Sequence, residues 1–231
     1  MPIINDEEFG KITIRRSARA TQVKVRVAPD GTLRASLPLY APLFLVKRLI
    51  KSSRDELRAM LVDAQPSQDY SDGMHIGKSH TLVVHHVSSG APKAERHKQQ
   101  IIVSLPEGYT LSNPEVSRTV RDCVIAALRI EAKSYLPKRL LFLATKYGFH
   151  YDKVRFSHAS GRWGSCSANG TISLNIALMK LPFELIDYVI VHELSHTVHM
   201  NHSSAFWELV SRGDPNYTHN RHQLRQENPS I

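Results

Sequence analysis

The sequence predicts an α+β fold, and three observations carry that expectation. Period-two strand patterns open the chain, helical spacing of apolar residues interrupts them at 41–63, and from about residue 113 helices dominate. Lys11-Ile12-Thr13-Ile14-Arg15-Arg16 and Gln22-Val23-Lys24-Val25-Arg26-Val27 alternate polar and apolar side chains. Pro29-Asp30-Gly31-Thr32 reads as a turn, and Leu33-Arg34-Ala35-Ser36-Leu37 resumes the alternation, so an antiparallel meander with one face in water is expected. Leu43, Val46, Leu49, Ile50, Leu57, Met60 and Leu61 then recur at helical spacing. A polar loop at 64–73 precedes strands near Thr81–Val87 and Gln100–Leu105, which are separated by the loop Ser88-Ser89-Gly90-Ala91-Pro92.

Asn113-Pro114-Glu115 is a helix start, with proline in the first turn and an early acid to meet the helix dipole. The apolar set Val116, Val120, Val124, Ile125, Leu128, Leu136, Leu140 and Leu143 predicts one or two long helices, kinked or divided at Pro137 and ended by Gly148. Short strands are expected at 153–158 and 171–175 with a loop over 160–170 between them. Pro182 opens a further helix to about Met200, and Ser203 caps another through Val210. No internal repeat is visible. The expected division is an N-terminal β-rich subdomain with one helix over 1–112 and a second domain over 113–231.

Composition narrows the class. A hydrophobic fraction of 42% and a charged fraction of 22% belong to a folded chain. No run of about 18 apolar residues suits a spanning helix, and the acidic start Asn5-Asp6-Glu7-Glu8 does not suit a signal peptide. These readings predict a cytoplasmic protein with no membrane partner. Cys123 and Cys166 lack the spacing of a disulfide framework or a thiolate metal site. The net charge of +9 resides wholly in residues 1–150, which hold 23 Lys/Arg against 14 Asp/Glu, while 151–231 balance at 7 and 7. An anionic partner, nucleotide or nucleic acid, is one reading of that split; a solvated basic surface is the other.

The strongest chemical signal is His192-Glu193-Leu194-Ser195-His196. Positions i and i+4 share one helix face, so both imidazoles can address one cation. A catalytic zinc takes three protein ligands and leaves a position for water. Glu193 stands roughly 100° round the helix from His192, where a carboxylate can take a proton from that water without ligating. The apolar run Phe183–Val191 ahead of the motif places it on a buried helix. His202, six positions after His196, is the favoured third ligand; His199 is read as a partly exposed helix-end histidine, and Glu208 or Asp214 is the alternative ligand. Three imidazoles suit one Zn2+ per chain and tolerate other divalent metals such as nickel or cobalt.

The ordered segments Gly161-Arg162-Trp163-Gly164-Ser165-Cys166, Ile172-Ser173-Leu174-Asn175, His192-Glu193-Leu194-Ser195-His196, Asn201-His202-Ser203 and Phe206-Trp207 resemble the YgjP-like metallopeptidase domain family. That family is similar to the SprT and WLM groups of zincin-like proteins. The resemblance covers about 115–225, and the N-terminal strands agree with the family's β-rich beginning. It implies a zincin-like α+β fold, metal-dependent hydrolase activity, and metal ligands at His192, His196 and His202. The strand at 171–175 would then lie beside the active-site helix and pair with an extended substrate. Arg162 is a candidate substrate-binding residue, gripping an anion or developing negative charge; the plainer reading holds it on a nearby carboxylate with Trp163 packed in the core. Cys166 reads as a packed side chain, since no base stands near it in the sequence. Phe206 and Trp207 read as anchors of the helix after His202. His85-His86 face opposite sides of a strand, and His219 and His222 fit a surface helix.

Three functions follow as expectations. The first is a zinc peptidase acting on peptide or protein. The second is a metal-dependent nucleotide pyrophosphohydrolase. The third is a nucleic-acid-associated protease or binding module.

Overall fold

The computed structural model describes residues 2–18, 20–28, 32–63 and 70–231. The expected turn at Pro29-Asp30-Gly31 and most of the expected loop after 63 lie outside the described residues. The chain forms two compact units, Met1–Ser67 and Gln68–Ile231. The expected boundary at 112/113 falls inside the second unit, because the second sheet and the long helix that follows it share one apolar core.

The first unit holds strands β1 (Ile3–Asp6), β2 (Gly10–Arg16), β3 (Lys24–Val27) and β4 (Leu33–Leu37), then helices α1 (Phe44–Ser52) and α2 (Arg54–Asp63). Alternation decides the faces: Ile12, Ile14, Leu33, Ala35 and Leu37 are buried with Val46 and Ile50 of α1. The spatial order is β1-β2-β4-β3. Its two outer pairings are antiparallel, as expected; the central β2–β4 pairing is parallel, so the strands do not form a simple meander. Period-two patterning fixes which side chains are inside but not which strand lies beside which.

The second unit repeats that plan. Strands β5 (His75–Ile76), β6 (His80–Val87), β7 (Lys93–His97) and β8 (Gln100–Pro106) take the order β5-β6-β8-β7, again with a parallel centre between antiparallel edges. The registers coincide: Thr13 faces Arg34 as Val83 faces Ile102, and Lys24 faces Ser36 as Lys93 faces Ser104. The tripeptide Ser-Leu-Pro stands at the close of β4 (36–38, with Pro38 just past the strand) and of β8 (104–106). A structural repeat is therefore present although the sequence alone does not display it.

Helix α3 (Pro114–Tyr147) is a single 34-residue helix. Pro137 does not divide it, since the carbonyl that proline strips of its partner belongs to the exposed Lys133. Gly148 closes the helix at φ 73°, a left-handed conformation that glycine takes without a side-chain clash. Strands β9 (Lys153–Ser157), β10 (Gly164–Cys166) and β11 (Thr171–Asn175) form a third sheet in the order β10-β11-β9. A 3-10 turn (Ile176–Lys180) leads to α4 (Phe183–Ser195), and α5 (Ser204–Gly213) and α6 (Tyr217–Leu224) complete the chain. Helix α4 stops at Ser195 rather than near Met200; the residues after it form turns that bend the chain towards α5. Among the described residues no helix is long and apolar enough to cross a membrane.

One buried carboxylate ties α3 to the second sheet. Glu131 accepts hydrogen bonds from the Lys78 amide (2.7 Å), the Ser79 amide (2.9 Å), the Ser79 hydroxyl (2.8 Å) and His80 Nδ1 (2.6 Å). A Cβ on Gly77 would fall 2.2 Å from Glu131 Oε2, so only glycine fits beneath it. Burial acts to raise the Glu131 carboxyl, and these hydrogen bonds outweigh it, holding the group below the usual carboxylate range. A carboxyl depressed in the folded state contributes stability above its unfolded pKa and loses it as pH falls through the folded value. Glu131→Gln is therefore expected to cost about 2–3 kcal/mol at neutral pH. The deficit should shrink as the pH drops below about 4.5. Urea unfolding of both proteins across pH 3–7 measures it; a deficit independent of pH would show that the charge plays no part.

Candidate metal centre

The last turn of α4 places His192 and Glu193 side by side in sequence and His196 one turn on. The chain then bends, and Asn201-His202-Ser203 brings His202 back before α5 begins. The Ser203 side chain caps α5 by accepting from the Phe206 amide. One nitrogen from each of His192, His196 and His202 lies within 4.8 Å of the others, and the Nε2 atoms of His192 and His202 are 3.3 Å apart. Tetrahedral ligation with bonds of about 2.1 Å separates ligand atoms by about 3.4 Å. The spacing suits one small cation.

The protonation of the rings fits too. Burial first, then the neighbouring His196, His202 and Arg221 charges, push His192 down to about 3. Burial also lowers His196, against the opposing effect of the His199 carbonyl. Neutral rings offer lone pairs at neutral pH. His196 Nδ1 donates to the His199 carbonyl at 3.0 Å, which leaves its Nε2 available to a cation. His199 contributes its backbone here, and its ring is not among the three that converge; neither Glu208 nor Asp214 joins the cluster. Glu208 accepts from Arg212, and Asp214 accepts from Asn220.

Phe206, fully buried, forms the floor of the site, with its ring centroid 5.0, 4.5 and 4.8 Å from those of His192, His196 and His202. Trp207 stacks on His202 at 5.6 Å and on Tyr217 at 5.6 Å. The anchoring role expected for this pair matches their positions. Helix α5 meets α4 closely at Gly213, where a Cβ would come within 2.6 Å of Val191 Cγ1.

Glu193 is only 5% exposed, and its Oε2 is buried without a hydrogen-bond partner, as is His192 Nδ1. Burial pushes the Glu193 carboxyl up to about 8, while the Arg162 charge pulls it down. A divalent cation alongside would lower it further. An unpartnered buried acceptor costs about 1–3 kcal/mol, and such atoms persist where a ligand or reacting group will meet them. Gly164 of β10 makes room for this carboxylate: a Cβ there would lie 2.6 Å from Oε1 and 2.7 Å from Cγ of Glu193. A cavity of 180 Å³ opens beside them, lined by Trp163, Tyr188, His192, Glu193 and Leu224.

The profile described as YgjP-like, metallopeptidase domain, matches residues 21–227. The chain belongs to this family. As a YgjP-like domain it is a metal-dependent hydrolase, and its fold is α+β with an N-terminal sheet that contains antiparallel strands. Among solved structures, the YgjP-like chain is similar to the metallopeptidase zymogen of Pyrococcus abyssi abylysin, at 25% identity and a TM-score of 0.37, over 39% of this chain and 91% of that one. No curated protein matches the chain significantly.

The YgjP-like loop 160–170 is not loop throughout, because Gly164–Cys166 forms β10. Strand β11 is paired on both sides, so β10 rather than 171–175 is the edge strand beside α4. Asn175, fully buried, fixes this loop: its Nδ2 donates to the Ala159 carbonyl (2.7 Å) and the Arg162 carbonyl (2.9 Å), and its backbone amide donates to Trp163 (2.8 Å). Arg162 is exposed, with its charge acting on Glu193. Burial and the Glu193 charge raise the Cys166 thiol, which keeps it protonated and unreactive. His85 and His86 are exposed on β6, and His219 and His222 are exposed on α6, outside the cluster. In the sequence alone, Gly164 and Asn175 stand within longer segments but receive, like Tyr188, no role of their own.

Proposed function

We propose that the chain is a zinc peptidase that hydrolyses amide bonds in peptide or protein, with His192, His196 and His202 as metal ligands and Glu193 as the proton-transferring carboxylate. The observation that carries this reading is the convergence of three imidazoles beside a buried carboxylate that has an unpartnered oxygen. Zinc bound there would polarise the scissile carbonyl and acidify water. Glu193, held against Gly164, takes the proton of the attacking water and returns it to the departing amine. The edge position of β10 supports an extended main chain as substrate, since an edge offers unpaired amides and carbonyls. The cavity lined by Trp163 and Tyr188 suits an apolar side chain of that substrate. Arg162, exposed at the rim, is proposed to meet the substrate's negative charge.

Chelation is the first test. Purified protein should contain about one zinc per chain; removing it should abolish cleavage of unfolded casein and lower the melting temperature, and added Zn2+ should restore both. His196→Ala should carry little metal. Casein cleavage that survives exhaustive chelation would sink the proposal. Chelator-sensitive release of phosphate from nucleoside triphosphates, with casein untouched, would keep the metal site and replace the substrate.

A further inference from the structure

We infer that the outer face of the N-terminal sheet, distinct from the metal site, binds single-stranded nucleic acid. Strand alternation puts Ile12, Ile14, Val25, Leu33, Ala35 and Leu37 on the core side. The opposite side therefore carries Lys11 and Arg15 of β2, Arg34 of β4, and Lys24 and Arg26 of β3. Register assembles them. Arg15, Ser36 and Lys24 form one cross-strand row, and Thr13, Arg34 and Arg26 form the next. Neighbouring strands lie about 4.8 Å apart and alternate residues along a strand about 6.7 Å apart. Arg15, Lys24 and Arg26 thus share, with Arg34 among them, a patch of about 10 Å by 7 Å, comparable to the Debye length of about 8 Å at physiological salt, so the fields of the first three add. No described acidic residue of the four strands stands on this face: Asp6 has the core-side parity of Ile4 and pairs with Arg54 of α2.

The fold itself does not demand these charges, because the second sheet supplies an internal control. At the same registers it has Thr81 for Lys11, His85 for Arg15, Glu95 for Arg26 and Ile102 for Arg34. The one lysine it keeps, Lys93 for Lys24, is paired with Glu95 at 2.6 Å. Arg26 stands directly opposite Arg34, one row along from Lys24 and Arg15. A concentrated cationic face that the matching sheet lacks fits a polyanion.

The end of the sheet favours a single strand. Arg16 Nη1 donates to the Leu39 and Ala41 carbonyls, fixing the turn that carries Tyr40, which is 96% exposed. That turn follows β4 at the end where Arg15 and Lys24 lie. An extended strand can lay its phosphates across a flat cationic sheet and stack a base on the nearby phenol ring, whereas a rigid duplex touches a flat face along a narrow line.

Fluorescence anisotropy of labelled oligothymidylate with the full chain tests this. With about four phosphates contacted, affinity should fall roughly 50-fold between about 50 and 200 mM salt. Replacing Arg15, Lys24 and Arg26 together by glutamine should weaken binding at least about tenfold and flatten the salt slope by about two. Replacing Lys47, Arg48 and Lys51 of α1 by glutamine removes the same charge elsewhere and should change affinity less than about twofold. Should the triple sheet variant fail to fold, Arg26→Gln alone should still lower affinity and the slope. Tyr40→Ala should weaken single-strand binding severalfold. No binding at low salt, equal losses in both triple variants, or tighter binding to duplex than to single strand would each overturn the inference.

Discussion

Glu193→Gln should retain a full complement of metal and lose about 10²- to 10⁴-fold in turnover of unfolded casein. The substitution preserves shape in a site where Glu193 is 5% exposed, and removes only the capacity to accept a proton. The three imidazoles do not depend on it: Phe206 underlies all three rings, and the His196 orientation is set by the His199 carbonyl. Metal analysis and turnover measured on one preparation separate the two roles. Normal turnover would remove Glu193 from the chemistry; loss of the metal would make it part of the ligand shell instead.

Gly164→Ala should approach the same effect while leaving every reacting group chemically intact. The added methyl would sit 2.6 Å from Glu193 Oε1 and 2.8 Å from Cδ, so the carboxyl must shift. Gly164 lies in ordinary strand backbone, and alanine there is not strained by its own conformation. Displacement by about 1 Å in an active site costs on the order of 10²-fold in rate. The expected signature is a fall in kcat of about that size, with metal content and melting temperature near those of the parent. Activity within about twofold of the parent would mean that Glu193 does not act from the position it occupies here.

How far the sequence disclosed this arrangement depends on the length over which each signal repeats. Helix α3 was legible because Asn113-Pro114-Glu115 opens it, Gly148 closes it and its buried residues recur for 34 positions. The strand β7 was not, since four of the five residues in Lys93-Ala94-Glu95-Arg96-His97 are exposed and leave no apolar alternation to read. Three residues are too few for any period, and so β10 passed for loop. The grouping of His192, Glu193 and His196 follows from helix spacing alone, and His202 from its interval; the geometry brings the rings together as that spacing implies. The closeness of Gly164 to Glu193, 29 positions away in sequence, is a tertiary fact with no local trace. The matching registers of the two sheets were hidden for a similar reason. They share a plan and one tripeptide, while their outward-facing residues differ at most positions.

The notch at Gly213 bears on how tightly His202 can be presented. Helix α5 is ten residues, about 15 Å long, with its first turn next to His202 and its last turn seated against Val191. It is thus a short lever whose far end rests on the helix that carries His192. A bulkier residue at the notch would tilt the lever and swing the third imidazole away from the other two. Grip on the cation is therefore governed partly by packing at the end of α5 opposite His202.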